Sequence, residues 1–68
     1  MLDRVILEKQ YKHGDAFCSK ISTKHFTNNG TIVETVKYAL DYPPFISTVV
    51  NREELVELRD AINEALNA

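Results

Sequence analysis

Apolar and polar positions alternate with a period of two through the first fifty residues, then switch to a helical period over the last seventeen. In the segment from Val5 to Tyr11, Val5, Leu7 and Tyr11 fall on one side and Glu8 and Gln10 on the other, which predicts a strand. Lys12-His13-Gly14-Asp15 follows, where Gly14 can supply the positive φ of a tight turn. From Ala16 to Phe26, Phe17 and Ile21 share one face and Lys20, Ser22 and Lys24 the other. Asn29-Gly30 then fits a two-residue type I′ hairpin, which pairs the second and third strands antiparallel. In the third segment, Thr31 to Leu40, the residues Ile32, Val36, Tyr38 and Leu40 line one face, with Val33, Thr35 and Lys37 opposite. Asp41-Tyr42-Pro43-Pro44 is expected to leave the sheet, because proline donates no ladder hydrogen bond. Phe45 to Val50 suit either a short fourth strand or an extended approach to a helix.

The helix start is well marked. Asn51 is a favourable N-cap and Glu54 sits three residues later, the spacing of a capping box. Val50 and Leu55 are placed for a hydrophobic staple, and Glu53 and Glu54 lie where the helix dipole favours carboxylates. Leu55, Leu58, Ala61, Ile62, Ala65 and Leu66 form one apolar stripe, with Val56 off it. Glu53, Glu57, Asp60 and Glu64 occupy the opposite face. No Glu–Lys or Glu–Arg pair stands at the supportive i,i+4 spacing, so the helix is expected to depend on packing its stripe against the sheet.

These elements predict an α+β domain spanning residues 1–68, with an antiparallel meander of three or four strands over about 4–50. One C-terminal amphipathic helix, about 52–67, packs on one face. The expected core draws Val5, Leu7, Phe17, Ile21, Ile32, Val36, Tyr38 and Leu40 from the sheet and Leu55, Leu58, Ile62 and Leu66 from the helix.

Size changes this picture. A chain of 68 residues buries only about 60% of its unfolded surface. Small cores are commonly reinforced by disulfides, metals or a partner subunit. Cys18 is the single cysteine, which excludes an internal disulfide and a cysteine-based zinc site. Self-association is the remaining device, so a homodimer is expected. Surplus apolar residues outside the expected core, notably Val33, Tyr42, Phe45 and Val56, are the candidate partner-binding set.

Charge and targeting narrow the setting. The net charge of −2 gives no bulk attraction to nucleic acid or anionic membranes. Residues 1–51 carry a balance of +1 and residues 52–68 of −3. No apolar run reaches the roughly 20 residues of a membrane span. Met1-Leu2-Asp3-Arg4 lacks the layout of a signal peptide, and a lone thiol suits a reducing compartment, so the cytoplasm is the expected location. Asn29-Gly30-Thr31 matches a glycosylation acceptor, which is silent in the cytoplasm.

Candidate chemistry is sparse, and neither a cofactor nor a metal is expected. His13, Cys18 and His25 are the soft or borderline metal ligands, and their spacing matches no metal template. Seven residues of strand put Cys18 roughly 23 Å from His25, on the opposite face, which argues against a cysteine nucleophile. Gly14 and Gly30 are each accounted for by a turn, so no phosphate-cradling loop is present. The remaining feature is a lysine-bearing hairpin: Lys9, Lys12, Lys20 and Lys24 interleave with Tyr11, Phe17 and Phe26. Lysines with stackable aromatics on a sheet are a means of holding single-stranded nucleic acid, or a small anion. Routine solvation of a two-faced sheet also places lysines there.

A short sheet followed by a capped C-terminal helix, carried here by Val49-Val50-Asn51-Arg52-Glu53-Glu54-Leu55 through Leu66, resembles the single-strand-binding domain of the transcription coactivator PC4 family. That resemblance implies dimerisation through the helices. In size and layout the chain also resembles the short accessory proteins that phages encode to bind and inhibit host factors, which would place it in the host cytoplasm. The leading expectation is a non-catalytic protein-binding regulator or inhibitor whose partner is another protein. The second is a nucleic-acid or anion binder using Lys9, Tyr11, Lys12, Lys20 and Lys24.

Overall fold

A computed structural model describes residues 4–68 of the chain; Met1, Leu2 and Asp3 lie outside the described residues. Four strands, β1 (Arg4–His13), β2 (Ala16–Phe26), β3 (Ile32–Tyr42) and β4 (Ile46–Val50), form one antiparallel sheet in meander order. Helix α1 (Arg52–Asn67) closes the chain and packs against β3, giving the α+β layout the periodicity predicts. Residues 46–50 are a true fourth strand, paired from Tyr38↔Val50 to Tyr42↔Ile46. Asp41 and Tyr42 remain in the sheet opposite Ser47 and Ile46, so only Pro43, Pro44 and Phe45 leave it. A turn carries the chain from β3 to β4, with the Phe45 N–H donating to the Tyr42 carbonyl at 2.7 Å.

The turns set the register. His13 faces Ala16 across a two-residue loop in which Gly14 takes φ +60°, as the first position of a type II′ turn requires. The second hairpin differs from the expected type I′ turn. Its loop has three residues, Asn28, Asn29 and Gly30, and among the described residues no non-glycine has positive φ. The Gly30 N–H donates to the Thr27 carbonyl at 3.1 Å and the Thr27 N–H to the Thr31 carbonyl at 2.9 Å. The Thr27 hydroxyl adds a second clasp by accepting from the Thr31 N–H at 3.1 Å. This is a type I turn closed by a left-handed glycine, so a single residue at φ +79° does what a type I′ turn would ask of two.

Register also fixes the faces, because directly paired residues point the same way. One face carries Val5, Leu7, Lys9 and Tyr11 of β1 beside Lys24, Ser22, Lys20 and Cys18 of β2. Glu34, Val36, Tyr38 and Leu40 of β3, then Val50 and Thr48 of β4, continue it. The helix lies on this face. Phe17 and Ile21 pair with Asp41 and Lys37 on the other face. They therefore stand outside the expected core, on the far side of the sheet from Leu7, Val36 and Leu40. Counting alternation within each strand could not reveal this; only the cross-strand register does.

The molecule is open. Its radius of gyration is 15.3 Å, against about 11 Å for a globular domain of this length. Its accessible surface is 5875 Å², roughly 1,500 Å² more than a folded monomer of this mass presents. Tyr38, 8% exposed, is the one buried apolar side chain among the described residues.

Candidate functional site

Three surfaces follow from this arrangement. The first is the cleft between helix and sheet. The capping box forms as expected: the Glu54 N–H donates to Asn51 Oδ1 at 2.8 Å, and the Asn51 N–H donates to Glu54 Oε1 at 3.0 Å. This reciprocal clasp fixes where the helix begins, directly after Val50 and over Tyr38. Tyr38 shares a crevice there with Arg52, Leu55, Val56 and Arg59. Beyond it the helix rises off the sheet. Leu55 is half-buried, while Leu58 is 41%, Ile62 56% and Leu66 78% exposed. The helix thus forms a jaw with the sheet, closed at Tyr38 and open toward its C-terminus. The open part is a cleft of about 480 Å³ lined by Cys18, Leu40, Ile46 and Thr48 below and Leu55, Leu58, Arg59 and Ile62 above. The expected packing of the whole apolar stripe on the sheet is therefore realised only at its N-terminal end.

The second surface is the tip of the β3–β4 turn. Tyr42 and Phe45 stand with ring centroids 6.2 Å apart and 33° between planes. Phe45 is 79% exposed, and Ile46 beside it is also exposed. Of the four apolar residues singled out from sequence, these two come together. Val33 lies on the far face, opposite His25 of β2, and is exposed. Val56 is half-buried at the jaw hinge next to Tyr38, so it serves the helix–sheet joint.

The third surface is cationic. Lys9, Lys20 and Tyr38 lie in one cross-strand row on the helix-bearing face, with Tyr11 and Lys24 on the same face. The Lys9 ammonium sits 5.4 Å from the Tyr11 ring centre. Lys24 pairs with Glu34 at 3.7 Å. Arg52 and Arg59 join this row from the helix through the Tyr38 crevice, and Arg59 also holds Asp60 at 3.1 Å. Sequence reading missed both arginines. Their signal was the helical position flanking the apolar stripe on the side of Val56, legible only once Tyr38 is placed beneath it. Lys12 is separated from the group: it points to the far face, 5.1 Å from the ring of Phe17.

The thiol and the histidines do not form a cluster. His25 is on the face opposite Cys18, and His13 is diagonal to it, since Cys18 pairs with Tyr11 and Ala16 with His13. Among the described residues no three His, Cys, Asp or Glu side chains converge on a metal-sized space. Among the described residues no helix is long and apolar enough to cross a membrane.

No protein-family model matches the chain, and neither curated proteins nor solved structures offer a significant match. The functional reading rests on the surfaces themselves.

Proposed function

We propose that the protein is a non-catalytic protein-binding regulator or inhibitor that works as a homodimer, in the manner of short phage accessory proteins. The observation that supports this reading is the exposed aromatic pair Tyr42–Phe45 at the tip of the β3–β4 hairpin, continued by Ile46. Two rings held on a tight turn carry a large apolar area with few rotatable bonds. Ordering them on a partner costs little entropy, which is why aromatics dominate interface anchors. The tip projects from a sheet whose hydrogen bonds hold it in place, so a target meets a formed anchor.

The test compares wild-type protein with the double variant Tyr42→Ala/Phe45→Ala, each immobilised, for capture of one target identified by mass spectrometry. Loss of that target by at least tenfold, with an unchanged circular dichroism spectrum, supports the tip as anchor. Equal capture by both proteins removes it.

A second reading draws on a separate observation. Lys9, Tyr11, Lys20 and Lys24 share the helix-bearing face and Arg52 and Arg59 add to them from the helix, with Glu34 offsetting Lys24 and Asp60 offsetting Arg59, while Glu53, Glu57 and Glu64 fall away from the row on α1. This segregation gives a protein of net charge −2 a local cationic row suited to a phosphate backbone. Binding of a single-stranded oligonucleotide that weakens with salt, and is lost in Lys9→Glu/Lys20→Glu, would favour this reading over the first. Absence of binding at low salt sinks it.

A further inference from the structure

We propose that the sheet face opposite the helix binds a small phosphomonoester, its phosphate lying over Thr23 and Thr35 between Arg4, His25 and Lys37. The site shares no residue with either functional reading above and rests on neither.

Register assembles it. On that face Arg4 pairs with His25, and Thr23 with Thr35. Lys37 follows Thr35 by two residues on the same strand and face, directly opposite Ile21. Successive same-face rows are about 6.7 Å apart, so the two threonines stand midway between the Arg4–His25 row and Lys37. Arg4 of β1 and Lys37 of β3 border one trough of about 320 Å³, although β2 runs between them. Ile21 and Thr23 are half-buried in it, while Arg4, His25, Thr35 and Lys37 are exposed to an incoming ligand.

Donor chemistry selects the ligand. Every polar side chain lining the trough can donate a hydrogen bond, and none is a carboxylate. Arginine offers a planar fork that matches phosphate oxygens, lysine a compact charge, histidine a ring N–H and threonine a hydroxyl. These donors come from two sides and from beneath. A tetrahedral phosphate meets all three directions, whereas a planar carboxylate meets fewer. Ile21 and Val49 give the trough an apolar end that suits the organic body of a monoester.

The rest of the face sets the ligand's size. Glu8 lies in the Lys37 row with Ile21 between them, and Asp41 lies two rows beyond Lys37. The ion pairs among the described residues, Lys24–Glu34 and Arg59–Asp60, engage other cations, so Arg4 and Lys37 keep their charge for a ligand. Lys12, also on this face, stands over the Phe17 ring in the Asp41 row. A phosphodiester chain needs a continued track of cations. Here the cluster gives way to Glu8 across the strands and to Asp41 along them, which fits one phosphate group.

Backbone-amide NMR at constant ionic strength tests the site with three probes: phenyl phosphate, inorganic phosphate and a single-stranded oligonucleotide. Phenyl phosphate should give saturable shifts at Thr23, His25, Thr35, Lys37 and Val49, and leave Lys9 and Tyr11 of the other face in place. Inorganic phosphate should move the same amides except Val49. The double variant Arg4→Gln/Lys37→Gln should weaken phenyl phosphate about tenfold or more. Both side chains are exposed, so the fold is spared, as circular dichroism would verify. Thr35→Val keeps a strand-favouring shape, should weaken binding several-fold, and carries the test if the charge variant unfolds. Absence of saturable shifts overturns the proposal. So do shifts spread evenly over both faces, wild-type affinity in the folded variants, or an oligonucleotide that occupies the trough more tightly than phenyl phosphate.

Discussion

The two halves of the helix-bearing sheet face are built from the same kind of sequence and reach opposite ends. On the β3–β4 half, Tyr38 is buried beneath Leu55, Val56 and the arginines of the helix. On the β1–β2 half, Leu7 is 58% exposed with Val5 and Tyr11 exposed beside it. Alternation is as regular in β1 as in β3, so strand pattern does not separate the halves. What separates them is supply. Four strands spaced about 4.8 Å apart span roughly 14 Å from first to last, and one helix is about 10 Å across. A single helix starting at the β4 edge is narrower than such a sheet and leaves its β1 side uncovered. The comparison teaches that this chain encodes one more apolar surface than it encodes elements to cover it.

The largest test of the comparison removes the pivot of the covered half. Tyr38→Ala deletes the only buried apolar side chain among the described residues and the floor of the helix hinge. It should cost about 3 kcal/mol in a urea titration, the usual scale for truncating a buried aromatic. A loss under about 1 kcal/mol would mean that the covered half is no better packed than the exposed one.

A middle-sized test acts on how the helix reaches that half. Asn51→Ala removes the acceptor for the Glu54 N–H and breaks the reciprocal clasp, so it should cost about 1 kcal/mol. Helix signal in circular dichroism should fall with it, because the hinge end is where the helix is anchored. Unchanged stability would show that sheet contacts position the helix without the cap.

Local chemistry explains how much was legible in the sequence. The capped start at Asn51, the helix bounds, three alternating segments and the breaks at Gly14, Asn28–Gly30 and Pro43–Pro44 are written in neighbouring residues, and the structure follows them, resolving 46–50 as the fourth strand that the pattern left open. The misreadings were all relational. Phe17 and Ile21 alternate perfectly well, but the face they serve depends on pairing with Asp41 and Lys37, set by a loop of three residues where two were expected. Asn29-Gly30 misled because Asn28 joins the turn and lets glycine alone take the left-handed conformation. The apolar stripe of the helix was legible, but its lift away from the sheet was not, since no residue in the stripe encodes an angle. For the same reason Arg52 and Arg59 entered the cationic surface only when Tyr38 was placed beneath them.

The smallest test reads the uncovered half through an ion pair. Lys24 and Glu34 are directly opposed on β2 and β3, with the ammonium 3.7 Å from the carboxylate and their side chains 43% and 49% exposed. At that exposure water screens both charges, and the pair's attraction is largely spent on holding two long side chains in one geometry. A double-mutant cycle with Lys24→Gln and Glu34→Gln should therefore give a coupling of at most about 0.5 kcal/mol. It should vanish near 1 M salt, where the screening length is about 3 Å. That result belongs to a surface in contact with water. A coupling above about 1 kcal/mol that persists in salt would belong to a desolvated pair, and the single chain has nothing on this half to exclude water. It would mean that a partner covers the β1–β2 half in solution, and repeating the cycle across protein concentration would separate the candidates: coupling that grows with concentration identifies the cover as a second copy of the chain.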